Sequence, residues 1–160
     1  MGFSQNTSSI DFVIKNLGVN VDGHFNSFSV TAKFDEANSE LEYLFGAINV
    51  SSIETGMDSR DKHLLKADYF NIEKYKEITL ESTSVTKTPS NKYKVKASLS
   101  IKGVTKEISI ITEVIKINNS YKLSSNFEIN RQDFNVGGSS FMLCKNVKIR
   151  VTYYPVSYTH

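Results

Sequence analysis

Arg60, Asp61 and His63 are the residues of this chain whose types and spacing come nearest to a chemical site. An arginine and a histidine together can bind a phosphate or another polar head group of a ligand through charge-assisted hydrogen bonds. On a helix Arg60 and His63 share a face, whereas Asp61 is offset by one residue, so the three side chains need not converge. The alternative is that Arg60 and Asp61 pair with strand ends and loop carbonyls. We favour this alternative, in which the residues position a helix.

Arg131 and Asp133 form a second polar pair at the predicted end of a strand. Residues two apart in a strand lie on the same face, so these side chains can bridge to each other or to the loop over 135–145. A structural role is again the preferred interpretation. If a ligand with a polar head group binds, Arg60, His63 and Arg131 are its predicted contacts.

Other reactive groups are isolated from one another. The single cysteine, Cys144, and three scattered histidines give neither a disulfide nor a cluster with metal-ligand spacing. Ser139 and Ser140 follow two glycines, but the spacing is not the Gly-x-Ser-x-Gly of a nucleophile loop. We therefore predict no metal ion, no cofactor and no catalytic residue.

Charge is balanced and evenly spread along the chain. Lys and Arg number 19 against 17 Asp and Glu, and no basic block is available to grip phosphates, so we expect no nucleic-acid partner. No apolar stretch approaches the roughly 20 residues of a membrane-spanning helix. The 160 residues carry no composition break, and we expect one domain over 1–160.

The first ten residues have no basic start, no apolar run and no small-residue cleavage site, and are therefore not a secretory signal. We expect a periplasmic protein if a signal peptide has been removed from this chain. Otherwise we expect a cytoplasmic one.

Alternation of apolar and polar residues with a period of two dominates the sequence and predicts β-strands. Gly103 supplies the permissive backbone of one tight hairpin, and Asn118 with Asn119 indicates a second. Eight strands are predicted, over 10–14, 28–34, 43–53, 78–86, 93–101, 108–114, 121–129 and 147–153.

One segment is predicted as a short helix between strands 3 and 4. Asp58 or Ser59 can cap its start, and Leu64 and Leu65 give it an apolar side. We expect this helix to lie across one end of the strands.

Eight antiparallel strands joined by short turns can close into a barrel, which removes exposed edges. A barrel of this size is either filled by its own side chains or encloses one ligand. The inward register has many small residues and the chain has no Trp, which favours a cavity. The alternative is that small residues relieve crowding at barrel corners, and composition leaves both open. The small residues are Ala32, Gly46, Ser82, Ser84, Ala97, Thr112 and Ser125.

A cavity lined in this register would be apolar, and it would suit a lipid or isoprenoid chain because a polar guest would lose its hydration without compensation. The predicted lipid-binding residues are Ile10, Phe12, Ile14, Phe28, Val30, Ala32, Phe34, Ile48, Leu64, Phe70, Leu80, Ala97, Leu99, Ile110, Phe127 and Ile149.

Four ordered motifs resemble those of the YceI-like family. They are KNLGVNVDGHF over 15–25, SIETGMDSRDKHLLKADYF over 52–70, LSIKGVTK over 99–106 and INRQDF over 129–134. The resemblance implies a lipocalin-like eight-stranded barrel with an interior tunnel for polyisoprenoid chains, such as isoprenoid quinones or isoprenoid phosphates. It also implies periplasmic export, frequent pairing as homodimers, and no demonstrated catalysis. The chain departs from the family pattern at Asn16, where His is frequent, and at Asn135, where Gly is frequent.

The leading hypothesis is therefore a protein that binds, sequesters or transports an isoprenoid lipid and is not an enzyme. The first alternative is an enzyme acting on a lipid or small carbonyl compound, with His63 as general acid or base and Arg60 stabilising charge. The second is a filled barrel that serves as a protein interaction module. Tyr153, Tyr154 and Tyr158 are candidates for an exposed patch at a homodimer interface.

Overall fold

The computed structural model describes residues 7–118, 120–138 and 143–155. The described residues form ten β-strands, one α-helix and two 3-10 helices over Val50–Ser52 and Arg131–Phe134. The strands and the α-helix are β1 (Ser9–Asn16), β2 (Val19–Phe25), β3 (Phe28–Asp35), β4 (Glu40–Asn49), β5 (Ile53–Glu54), α1 (Asp58–Leu64), β6 (Glu77–Thr88), β7 (Lys92–Ile101), β8 (Val104–Ile117), β9 (Ser120–Asn130) and β10 (Asn146–Tyr153).

All ten strands belong to one antiparallel sheet with the order β3-β4-β6-β7-β8-β9-β10-β1-β2-β5. The sheet curves into a half-barrel around an apolar interior. The predicted all-β antiparallel architecture with one short helix is confirmed. The predicted count of eight strands is wrong, and α1 follows β5 instead of the third strand.

The missed strand β2 contains Gly23, and a glycine between polar residues is typical of a turn or a bulge. In the structure Gly23 is buried in mid-strand, directly opposite Phe12 of β1. A Cβ at Gly23 would lie 2.2 Å from Cζ of Phe12, so the glycine leaves the space that the phenylalanine ring occupies. The second missed strand, β5, has only two residues, too few for alternation to show.

The two extra strands arise because two neighbouring long strands are each broken into two at adjacent points. β2 and β3 are separated by Asn26 and Ser27, and β4 and β5 by the 3-10 helix Val50–Ser52. Hydrogen bonds join the interruptions, from Asn26 N to the Ser52 carbonyl at 3.2 Å and from Asn49 N to the Ser27 carbonyl at 2.9 Å. The terminal strands of the sheet, β3 and β5, are therefore connected through neighbouring segments of chain.

The helix α1 covers one end of the half-barrel, as predicted. Its N-cap residue is Met57, whose side chain makes no capping hydrogen bond. The prediction that Asp58 or Ser59 caps the helix is therefore wrong. After α1 the chain stays close, because Phe70 N donates to the Leu64 carbonyl and Ile72 N to the Leu65 carbonyl. No helix among the described residues is long and apolar enough to cross a membrane.

Two hydrophobic clusters divide the interior. The helix-end cluster consists of Ile10, Phe25, Val50, Ile53, Ile78, Leu99, Ile101, Phe134 and Val136, with Leu64, Leu65 and Phe70 packed against it. The far-end cluster consists of Leu41, Leu44, Tyr93, Val95, Ala97, Ile110, Val114 and Leu123. Inward alternation on β7, where Tyr93, Val95 and Ala97 are buried and Lys94 and Lys96 exposed, follows the predicted register.

Candidate functional site

An apolar cavity of about 410 Å³ runs between the two clusters. Its volume falls within the range of small-molecule sites, roughly 300–1,000 Å³. Most of its lining residues are aliphatic or aromatic and come from the inner faces of the strands. Only two of the described lining residues, Asn16 and His63, are exposed, so the cavity reaches solvent between the β1–β2 hairpin and α1. We call this region the mouth.

Twelve of the sixteen predicted lipid-binding residues line the cavity. The small residue Gly46, on β4, also lines it, and a Cβ built there would have no heavy atom closer than 4.0 Å. The twelve are Ile10, Phe12, Ile14, Val30, Ile48, Leu64, Phe70, Leu80, Leu99, Ile110, Phe127 and Ile149.

The other four predicted residues face inward but do not line the cavity. Phe28 packs against the helix-end cluster, and Ala32 and Phe34 pack against the far-end cluster. The Phe34 ring stacks on Tyr121 with centroids 4.4 Å apart. Ala97 is fully buried among its neighbours. Period-two alternation gives the side of the sheet but cannot separate packed positions from cavity positions along the same face.

Several lining residues were not predicted. Val21 and Phe25 lie on the missed strand β2, and Tyr69, Phe134 and Val136 lie on the segments that cover the helix end. The alternation of apolar and polar residues over 19–25 is the pattern from which β2 could have been predicted. The covering segments have no periodic pattern, so alternation could not identify Tyr69, Phe134 and Val136 as lining residues.

Arg60 anchors α1 to the residue that follows β5. Its Nε donates to Oγ1 of Thr55 at 2.7 Å and its Nη2 donates to the Thr55 carbonyl at 2.6 Å. The Asp61 carboxylate accepts from the Thr55 amide at 2.9 Å and also from the Thr55 hydroxyl. Thr55 is buried, so these bonds satisfy groups that water does not reach. Arg60 lines the mouth, but its contacts are those of a positioning residue.

Arg131 is 3% exposed and holds the loop between β9 and β10. Its guanidinium donates to the backbone carbonyls of four residues: Val136 at 2.8 Å, Gly138 at 2.9 Å, Leu143 at 2.8 Å and Cys144 at 3.0 Å. The loop passes so close that a Cβ on Gly137 would lie 2.9 Å from Nη1 of Arg131. The contacts fit the expected structural role. Most of this arginine's donors are directed at the loop rather than at the cavity.

His63 is the third predicted head-group residue and differs from the two arginines. Its ring is exposed at the mouth and packs edge-on against Tyr69, with centroids 5.2 Å apart. Neither ring nitrogen is hydrogen-bonded to another residue within the described ranges. His63 is therefore accessible to a guest, but no carboxylate or other acceptor orients it as general bases are usually oriented.

A polar pair also lies inside the cavity, away from the mouth. Thr112 of β8 and Ser125 of β9 are cross-strand neighbours whose hydroxyls are 2.8 Å apart, and both line the cavity. They are 1% and 6% exposed, respectively. In the sequence both residues stand out only for their small size.

Elsewhere the chemistry is sparse. Cys144 is exposed, and no group of three or more His, Cys, Asp or Glu residues in the described part of the chain is arranged to hold a metal ion. Ser139, Ser140 and Tyr158 lie outside the described residues. Tyr153 lines the cavity and belongs to the inner face of β10.

Comparison with known proteins places these features in a family. The YceI-like domain model matches residues 3–153. A UPF0312 protein of Pectobacterium atrosepticum is 36% identical over 107 residues, which are 66% of this chain and 55% of that protein. The chain thus spans about half the length of the curated relatives that it matches first.

Two solved structures share the fold. BcnA of Burkholderia cenocepacia superposes with a TM-score of 0.87 at 24% identity, over 93% of this chain and 96% of that one. A polyisoprenoid binding domain from Saccharophagus degradans, implicated in plant cell wall breakdown, gives a TM-score of 0.75 at 17% identity, over 94% of both chains. At these identities the likeness establishes the fold alone.

Proposed function

Because this chain belongs to the YceI-like family, we propose that it binds a long-chain isoprenoid lipid inside its cavity and so sequesters or transports that lipid. The observation that carries the proposal is the interior cavity of about 410 Å³ with its aliphatic and aromatic lining. Each buried methylene contributes roughly 0.8 kcal/mol, so several isoprene units bind tightly without a strong polar contact. The polyisoprenoid binding domain that shares the fold supports the same ligand class.

The enzyme alternative has less support. It needs His63 beside an acceptor and Arg60 directed at a substrate. Arg60 is bonded to Thr55, and His63 contacts the Tyr69 ring. The filled-barrel alternative also has less support, since a module packed with its own side chains would have none of the volume of this cavity.

Two further features belong to the proposal. The protein works in the periplasm if an export signal is removed from it, and otherwise in the cytoplasm. It pairs as a homodimer. Fractionation of cells and analytical ultracentrifugation test these two statements independently of ligand binding.

Native mass spectrometry of protein made in bacterial cells tests the ligand. We expect an adduct of lipid mass that disappears after organic extraction and returns on incubation with an isoprenoid quinone or a polyprenyl phosphate. Fatty acids are the control ligands, since they share apolar chains but lack isoprene branching. A protein that emerges without any adduct and takes up neither isoprenoid contradicts the proposal.

A further inference from the structure

The hydroxyls of Thr112 and Ser125 are polar groups in apolar surroundings. Their neighbours on the same strand faces are Ile110, Leu123 and Phe127, which also line the cavity. The charged lining residues, Arg60 and Arg131, lie toward the mouth on α1 and after β9. Valine and alanine could occupy the two positions with little change of shape. The hydroxyls are therefore not required to fill space.

The hydroxyl pair of Thr112 and Ser125 leaves one hydrogen-bond donor unused. Each hydroxyl carries one O–H donor and two acceptor lone pairs. The bond between them uses one donor, and neither hydroxyl bonds to any other residue within 7–118, 120–138 and 143–155. One O–H donor therefore remains inside the cavity. A donor that an apolar guest leaves without an acceptor costs roughly 1–3 kcal/mol, so a guest that offers an acceptor at this position is favoured over one that does not.

A second hydroxyl pair on the same molecule provides the contrast. Ser100 and Thr105 face each other across β7 and β8 with their oxygens 2.7 Å apart, but Thr105 is exposed and neither residue lines the cavity. Water can satisfy the remaining donor of that pair at no cost. The same cross-strand motif is thus a surface feature in one place and a polar group facing an apolar cavity in the other.

We propose that Thr112 and Ser125 form a hydrogen-bonding subsite for a neutral oxygen acceptor on the guest, the carbonyl of a quinone ring. Ser125 is the more exposed of the two, so its O–H donates to the guest while the Thr112 hydroxyl donates to Oγ of Ser125. Ser125 is then the contact residue and Thr112 the positioning residue. The guest lies with its ring at the hydroxyl pair and its isoprenoid chain toward the mouth.

The charge of a phosphate makes it a poorer ligand than a neutral quinone at this subsite. A phosphate needs several donors or a cation to replace its hydration, and the pair offers one donor. A quinone carbonyl needs no more than that one donor. The subsite inference rests on the proposed function, because it names which isoprenoid the cavity prefers and how it is oriented.

The experiment compares three probes of matched chain length: a benzoquinone with an isoprenoid tail, the corresponding polyprenyl phosphate, and the isoprenoid hydrocarbon without oxygens. Binding is measured by fluorescence competition on wild type, on Thr112→Val with Ser125→Ala, and on each single variant. We expect the double variant to bind the quinone about fivefold or more weakly and the hydrocarbon equally well or better. Ser100→Ala with Thr105→Val is the matched control and should change none of the three affinities.

Infrared spectroscopy of the bound quinone gives a second readout that partial unfolding does not mimic. A hydrogen-bonded carbonyl absorbs at lower frequency than a free one, so the shift present in wild type should be lost in Ser125→Ala. An unshifted carbonyl in wild type, or equal losses of quinone and hydrocarbon affinity, would overturn the subsite. If wild type binds none of the three probes, the proposed function itself fails, and this result is distinct from either of the others.

Discussion

The two ends of the cavity use polar side chains in opposite ways. At the mouth Arg60 donates to Thr55, and Arg131 donates to four backbone carbonyls of the neighbouring loop. At the far end no charged side chain lines the described part of the cavity, and the hydroxyls of Thr112 and Ser125 keep a donor free. A charge beside a cavity is therefore poor evidence of ligand recognition until its own hydrogen bonds have been counted.

Arg131→Met should give the largest effect, on stability. The substitution keeps an unbranched apolar chain but leaves one buried and three partly buried carbonyls without their donor, and we expect a loss of about 3 kcal/mol or more in the free energy of unfolding. Chemical denaturation followed by circular dichroism measures it. Arg150→Met is the control, since Arg150 is exposed and makes one long contact of 3.4 Å to Asn126. Comparable losses in both variants would show that the loop carbonyls are not the cause.

Gly46→Phe should block the cavity without unfolding the protein. Its backbone needs no positive φ, and a side chain there enters open space. The ring would displace guest atoms equivalent to three or four methylenes, which corresponds to roughly a hundredfold loss of affinity for quinone and phosphate alike. Ala47→Phe places the same ring on the adjacent residue, which does not line the cavity. Unchanged binding in Gly46→Phe would mean that the guest lies elsewhere.

Much of the strand architecture could be predicted because alternation reports which side of a strand is buried. Alternation assigned the inner faces well enough to find twelve lining residues, but it also included Ala97, which is enclosed by residues distant in sequence. The strand β2 was missed because Gly23 has two physical interpretations. Only the position of the Phe12 ring decides between a turn and a cross-strand contact.

The polar part of the site was harder to predict for a related reason. Residue type suggested that Arg60 and Arg131 can bind an anion, while their partners, the Thr55 backbone and the carbonyls of a nonperiodic loop, appear only in three dimensions. Asn135 shows the same limit. It has a left-handed backbone with φ 59° and ψ 29°, which Asn tolerates better than most residues, and this conformation could not be deduced from the residue type alone.

Arg60→Met should weaken α1 rather than head-group recognition. Two hydrogen bonds to Thr55 are lost at a partly exposed site, and we expect a decrease of about 1–2 kcal/mol in stability. The affinities for isoprenoid quinone and polyprenyl phosphate should change by the same factor, because a displaced helix alters the mouth for both ligands. Fluorescence competition with both ligands measures the ratio. A loss confined to the phosphate would show that Arg60 contacts the head group, and the contrast between the two ends would no longer hold.

His63→Ala should have the smallest effect, although His63 is the predicted head-group residue most accessible to a guest. Its ring packs on Tyr69 at an exposed position, so its removal should change stability by no more than about 0.5 kcal/mol. An exposed contact between opposite charges contributes about 0.2–1 kcal/mol and is screened by salt. We therefore expect polyprenyl phosphate to bind at most about fivefold more weakly at low ionic strength, with no difference at high salt. Quinone affinity should stay the same under both conditions. A tenfold or greater loss for the phosphate that persists in high salt would move head-group recognition to the mouth, where His63 would then be its principal contact.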